Sequence, residues 1–204
     1  MTQPKPVQTV SALILSGGLS RRMQGVDKGL ISLAEKPMIE YLLDSLSQHI
    51  DHIFISTNSS DPAYNDFGYP LIADVLPGSL GPLAGIHAGL LACKTPYLLI
   101  TPCDSPFLNT QLSERLEEAI RKKQATIAVA HDGKRVQNTF ALINTQLVDN
   151  LSSYLNRGGR RLITWLKEEH AIQVDCSDYQ SSFTNINTQT DLKKAEERLS
   201  KNNA

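Results

Sequence analysis

Ala12 to Leu15 is an unbroken apolar run that stops at Gly17-Gly18, the pattern of a strand buried on both faces of a parallel sheet. From Pro37 to Ile50 the apolar positions Met38, Ile39, Leu42, Leu43, Leu46 and Ile50 recur at helical spacing, which predicts an amphipathic helix with Pro37 in its first turn. His52 to Thr57 reads as a short strand around Ile53-Phe54-Ile55, and polar Asn58 to Tyr69 reads as a surface loop. Leu71-Ile72-Ala73 predicts a third strand ending on Asp74, and Pro77 to Pro82 a loop. Leu83 to Cys93 is small and apolar enough for a buried helix. Tyr97 to Thr101 predicts a fourth strand closing on Pro102-Cys103-Asp104.

Thr110 to Lys123 returns to the helical period, with Leu112, Leu116 and Ile120 inward. Ala125 to Ala130 and Arg135 to Ile143 flank Asp132-Gly133, a two-residue hairpin signal. Gln146 to Leu155 and Arg161 to Lys167 predict helices, joined by the basic, glycine-bearing turn Asn156 to Arg161. Ala171 to Val174 is a last strand, and Phe183 to Thr188 leads into a charged helix from Asp191 to Leu199. This succession predicts an α/β fold, with a mostly parallel central sheet, an antiparallel addition and helices on both faces. A flexible N-terminus over 1–8 and a single domain over 9–200 are expected, without internal repeats.

A chain of 204 residues can bury a full core. The formal net charge of −1 argues against a broad nucleic-acid or polybasic membrane surface. No apolar run approaches the roughly 20 residues of a membrane span. Met1 to Gln8 is polar, without a signal-peptide core. Cys93, Cys103 and Cys176 are odd in number and widely spaced, which suggests reduced thiols in a cytoplasmic protein and neither a disulfide frame nor a zinc site.

The chemistry gathers at predicted strand ends. Gly17-Gly18 allow a sharp turn and close backbone approach, and Arg21, Arg22 and Lys28 follow within a few residues. Backbone N–H groups with nearby cations suit a polyphosphate. A tight turn with solvated cations is the plainer alternative. The spacing excludes a Walker loop, because Gly25-Val26-Asp27-Lys28 lacks the Gly-Lys-Ser/Thr ending. It also excludes the dinucleotide G-x-G-x-x-G fingerprint.

With parallel strands, the glycine turn, Asp74 and Asp104 share one rim, where such sheets bind ligands. Asp104 beside bound phosphates suits Mg²⁺; otherwise it caps a loop. Asp74 suits a base or ribose, or caps a turn. Ser56, Thr57 and Asn58 suit either ligand contact or ordinary turn chemistry. Asn185 and Asn187 alternate across Ile186, so in extended chain both amides point one way while Ile186 faces the core. His49 and His52 lack further metal ligands, His87 reads as structural, and Cys103 lacks a neighbouring base and reads as a buried thiol.

Leu15, Gly17, Gly18, Arg22, Met23 and Lys28 match the L-x-G-G-x-x-x-R-M-x-x-x-x-K signature of nucleotidyltransferases. Together with Gly25 to Leu30, Gly81-Pro82-Leu83-Ala84-Gly85, Pro102-Cys103-Asp104 and Asn185-Ile186-Asn187-Thr188, the chain resembles the molybdenum cofactor guanylyltransferases of the MobA type over roughly residues 10–195. The resemblance implies a Rossmann-like nucleotidyltransferase fold. It implies transfer of GMP from Mg-GTP to the terminal phosphate of molybdopterin or Mo-molybdopterin, with pyrophosphate leaving.

By position, the resemblance assigns Leu15, Ser16, Gly17, Gly18, Lys28 and Asp74 to GTP, and Asp104 to GTP and Mg²⁺. It assigns Arg22, Asn185 and Asn187 to the pterin phosphate side. Ser56 stands where the family usually has Asn, which leaves Asn58 as a substitute base contact. Ser16 stands where the family often has Ala, and Asn138 where it often has Pro. Other cofactor-biosynthesis proteins and molybdoenzymes are the implied partners.

The chemistry agrees with the resemblance. An acceptor phosphate is already an anionic nucleophile, so Arg22, Lys28 and Asp104 would act by alignment and charge neutralisation, without a general base. A cytidylyl- or sugar-phosphate nucleotidyltransferase on the same scaffold, and a non-catalytic nucleotide-binding or cofactor-delivery protein, are the alternatives. The second would not need both Lys28 and Asp104, and both are present.

Overall fold

The computed structural model describes residues 9–17, 27–76 and 81–202. The 1–8 segment, Gly18 with Arg21, Arg22, Met23, Gly25 and Val26, and residues 77–80 lie outside the described residues. The strands in chain order are β1 (Val10–Leu15), β2 (Ser32–Leu33), β3 (Lys36–Pro37), β4 (Ile53–Ser56), β5 (Leu71–Ile72), β6 (Tyr97–Pro102), β7 (Ile127–His131), β8 (Val136–Asn144) and β9 (Ile172–Asp175). The α-helices are α1 (Met38–Leu46), α2 (Ala63–Asp66), α3 (Pro82–Ala92), α4 (Leu112–Lys123), α5 (Val148–Asn156), α6 (Leu162–Glu168) and α7 (Gln189–Asn202).

Seven strands form one sheet in the order β5-β4-β1-β6-β8-β7-β9. β1 pairs in parallel with β4 and β6, β4 with β5, and β7 with β9. β8 runs antiparallel to both neighbours, β6 and β7. The expected antiparallel addition is thus one reversed strand inserted between β6 and β7. Its hairpin places Asp132 N on Arg135 O at 3.1 Å, with Gly133 at φ +90°.

The sheet separates two apolar layers, because successive side chains of a strand point to opposite faces. Ala12 and Ile14 join α1 and α4 on one face through Ile39, Leu42, Leu43, Leu112, Leu116 and Ile120. Leu13 joins α3, α5 and α6 on the other, through Leu83, Ile86, Leu151, Trp165 and Leu166. Helices on both faces of a mostly parallel sheet agree with the fold expected from the apolar pattern. A third cluster seats α7 on the β2–β3 ribbon through Ile31, Leu33, Met38, Ile186 and Ala195.

Three local expectations need correction. Pro37 is not in the first helical turn: it is the N-cap of α1 and pairs with Ser32 in the ribbon. The stretch from Asn58 to Tyr69 is not all surface loop: it contains α2, whose Tyr64 is fully buried. Tyr64 and Ser16 share a hydroxyl–hydroxyl bond of 2.7 Å, and that one apolar anchor draws a polar segment onto the core. Gln146 and Leu147 belong to a 3-10 turn before α5 rather than to the helix itself.

Candidate active site

The chain leaves β1, builds β4 and β5 on one side, and returns to build β6 on the other. That reversal makes the carboxyl ends of β1 and β6 a topological switch point, the place where open α/β sheets open a crevice. Two backbone bonds tie the rim: Cys103 N donates to Leu15 O at 3.1 Å, and Ser16 N donates to Ser56 O at 2.8 Å. Above it lies a cleft of about 350 Å³ lined by Leu15, Gly17, Lys28, Pro82, Asp104 and Thr139, among others. A second cleft, of about 370 Å³, shares Gly17 and continues over Asp27, Thr57, Asn58 and Ser59. Gly17 lines both clefts, and a Cβ built on it meets no described atom within 4 Å.

Lys28 sits in a one-turn 3-10 helix, Lys28–Leu30, packed down through buried Gly29. A Cβ on Gly29 would lie 2.5 Å from Ser16 Oγ. The close fit brings Lys28 Nζ over the end of β6. There it donates to Asp104 Oδ2 at 3.0 Å and to Asn187 Oδ1 at 2.6 Å. The other Asp104 oxygen, Oδ1, is buried without a partner among the described residues.

The 185–188 segment crosses the same strand end. Ile186 N donates to Asp104 O at 2.8 Å, and Ser105 Oγ donates to Asn185 Oδ1 at 2.9 Å. Ile186 is fully buried, as expected for the residue between two amides. Asp191 Oδ2 accepts from the N–H groups of Asn187 and Thr188 and from Thr188 Oγ1, while Asp191 N donates to Thr188 Oγ1. This is a capping box opening α7, with Asp in the acidic position.

Asp74 and Asn58 clasp each other at the ends of β5 and β4. Asn58 Nδ2 donates to Asp74 Oδ2 at 2.7 Å, and Asp74 N donates to Asn58 Oδ1 at 2.9 Å. Ser56 lies beneath the clefts and lines neither: it is buried, and a Cβ on Gly85 would come within 2.2 Å of its Oγ. Gly81, at φ +61°, turns the chain into α3 in a conformation that favours glycine.

Cys103 is a buried free thiol, and burial, then the charge of Asp104, pushes it up to about 12. It is therefore a neutral wall and no nucleophile at ordinary pH. His87 is buried and bonds Ser152 Oγ through Nε2 at 2.7 Å, with burial lowering its pKa. His49 and His52 are exposed. No group of three metal-binding side chains occurs among the described residues.

Lys28, Asp104 and Asn187 are brought into direct contact, with Leu15 and Gly17 on the same cleft. Asp74 and Asn58 form a separate pair, and Arg22 and Gly18 fall outside the described residues. Sequence reasoning missed Tyr64, Ser105, Thr139 and Asp191. Only Asp191 had a readable signal, the T-x-x-D spacing of a capping box.

The MobA-like NTP transferase domain family matches residues 12–171. The molybdenum cofactor guanylyltransferase of Ralstonia nicotianae is 41% identical over 202 residues, covering 95% of this chain and 98% of its own. That of Mannheimia succiniciproducens is 43% identical, covering 90% and 97%. Among solved structures, the molybdopterin-guanine dinucleotide biosynthesis protein A of Archaeoglobus fulgidus superposes with a TM-score of 0.78 at 25% identity, covering 94% of this chain and 99% of that one. The chain therefore belongs to the MobA-like nucleotidyltransferases, among the molybdenum cofactor guanylyltransferases.

Proposed function

We propose that this chain transfers GMP from Mg-GTP to the terminal phosphate of molybdopterin, or of its molybdenum-bearing form, yielding the guanine dinucleotide cofactor and pyrophosphate. An acceptor phosphate oxygen attacks the α-phosphorus of GTP. The new P–O bond forms as the bond to the bridging oxygen breaks, and pyrophosphate leaves with that electron pair. The observation that carries the reading is Lys28 Nζ bound to Asp104 on the cleft that Gly17 lines, which sets a cation and a carboxylate suited to a hard metal beside that glycine.

Ser16 N is committed to Ser56 O, so within the Leu15 to Gly18 stretch the glycine N–H groups would meet the phosphates, and Lys28 would neutralise them. Asp104 fits a hard cation: among the described residues its Oδ1 is buried without a partner, and no group of three metal-binding side chains surrounds it. Mg²⁺ characteristically combines one or two carboxylates with substrate phosphates and water, and when bound it would offset charge developing on the α-phosphate and the leaving group.

Asn58 holds Asp74 by two bonds, so the Asp74 carboxylate is the candidate reader of guanine N–H donors; backbone groups near Gly81 are the other. Ser56 lines neither cleft, and its Oγ packs against Gly85. Arg22 and Asn185 would take the acceptor phosphate. No helix among the described residues is long and apolar enough to cross a membrane. A single domain over 9–200, working in the cytoplasm beside other cofactor-biosynthesis proteins and molybdoenzymes and without nucleic acid or membrane, completes the proposal.

The test is purified protein with Mg²⁺, molybdopterin and each nucleoside triphosphate in turn, followed by pyrophosphate release. GTP should be strongly preferred, because an unpaired polar reader rejects the wrong base. Comparable turnover with CTP or ATP removes the guanylyltransferase assignment.

A further inference from the structure

The two asparagines flanking Ile186 do not have the same partner. Asn185 is held by Ser105, whereas Asn187 accepts from Lys28. We infer that Asn187 is a positioning residue for Lys28 and so acts on the nucleotide-donor side of the reaction, an inference that rests on the functional reading above.

The chemistry of the pair fixes which atom does the work. A lysine ammonium has three donors and no acceptor, so the Asn187 atom 2.6 Å from Nζ must be its carbonyl oxygen. One acceptor leaves a long, flexible lysine stem free to swing about a single bond. Two acceptors, Asp104 Oδ2 and Asn187 Oδ1, fix the ammonium and the direction of its third N–H. Lys28 lines the cleft beside Gly17, so the remaining donor, which has no partner among the described residues, faces a cleft suited to an anion.

Asn187 is itself well anchored. Its N–H is bound to Asp191 Oδ2 at 3.1 Å, and the preceding Ile186 is buried and bonded to Asp104 O. The anchor at this position is also neutral. Asp104 already opposes the lysine charge, and a second carboxylate would leave little positive potential for phosphates. An amide oxygen holds the ammonium without cancelling it.

The experiment is a double-mutant cycle on metal-free nucleotide binding, using the wild type, Lys28→Ala, Asn187→Ala and the double variant, with Asn185→Ala alongside. Thermal melts of each establish folding. Asn187→Ala should weaken GTP binding about 10-fold, the scale of a hydrogen bond to a charged group. The double variant should bind within about twofold of Lys28→Ala alone, as expected when one residue acts through the other. Asn185→Ala should keep wild-type GTP affinity. Additive losses in the cycle, or unchanged affinity in Asn187→Ala, overturn the inference. Asn187→Ser, which is too short to reach Nζ, repeats the cycle if the alanine variant fails to fold. A wild type that prefers another nucleotide defeats the guanylyl reading, while the same cycle run with that nucleotide still decides the Lys28–Asn187 coupling.

Discussion

Asp104 offers one carboxylate oxygen to Lys28 and leaves the other buried without a partner among the described residues. Asp104→Asn preserves the shape and one acceptor but removes the charge that would hold a divalent cation. Turnover should fall about 10²–10³-fold, the scale of losing an electrostatic stabiliser. A Mg²⁺ titration of initial rates should recover part of it, while metal-free GTP binding persists; near-normal rates at low Mg²⁺ remove Asp104 as the ligand. Gly17 tests the neighbouring wall. A Cβ there strikes no described protein atom, so Gly17→Ala should leave the melting temperature unchanged. It should weaken GTP binding, because the new methyl occupies ligand space; equal affinity in a titration would move the phosphates away from Gly17. Lys28 and Asp104 were legible in the sequence because charge after a glycine turn or at a strand end has few structural uses. Tyr64 was not, because one buried phenol among polar neighbours leaves no periodicity to read.

At the scale of elements, α3 shows how closely a helix must lie on the sheet to close the rim. A Cβ on Gly89 would stand 2.6 Å from Leu13 Cδ2 and 3.1 Å from Leu98 Cδ2. Alanine favours a helix over glycine by about 1 kcal/mol, whereas overpacking a core costs about 1–3 kcal/mol. The overpacking should prevail, with Gly89→Ala lowering the melting temperature by about 2–4 °C per net kcal/mol. A calorimetric scan showing a rise would mean that Leu13 and Leu98 yield at little cost. The major strands and helices were readable from period alone, with ends displaced by a few residues. The β2–β3 ribbon and α2 were not, because Ser32–Leu33, Lys36–Pro37 and Ala63–Asp66 mix polar and apolar residues and carry no apolar run that marks an element. The capping box of α7 was present in the spelling of Thr188 to Asp191, yet its use in fixing Asn187 depends on where Lys28 arrives, 159 residues away in sequence.

Across the whole molecule, Tyr64 and Cys103 place two proton-holding groups near the Ser16 end of β1. Burial pushes each up to about 12, from ordinary values of 10.0 and 9.0. The unfolded chain therefore releases these protons first as pH rises. Stability from them is complete below about pH 9 and is lost as pH climbs toward 12. Urea midpoints measured from pH 8 to 11 should fall, and Cys103→Ala should flatten part of that fall; an unchanged slope in the variant would assign the loss elsewhere. The sequence made a parallel half and an antiparallel addition legible, because apolar runs and the Asp132-Gly133 turn report locally. Insertion of β8 between β6 and β7 was not legible, since strand order is decided by contacts that no local pattern encodes.

The segment that crosses the end of β6 comes from late in the chain, after the last strand of the sheet. A nascent polypeptide that has emerged only through residue 175 possesses every strand but not Asn185, Asn187 or the helix that secures them. Translation therefore delivers the sheet first and the amide that bonds Lys28 afterwards. A prematurely terminated product would carry the glycine turn, Lys28 and Asp104 without the amide that steadies the ammonium.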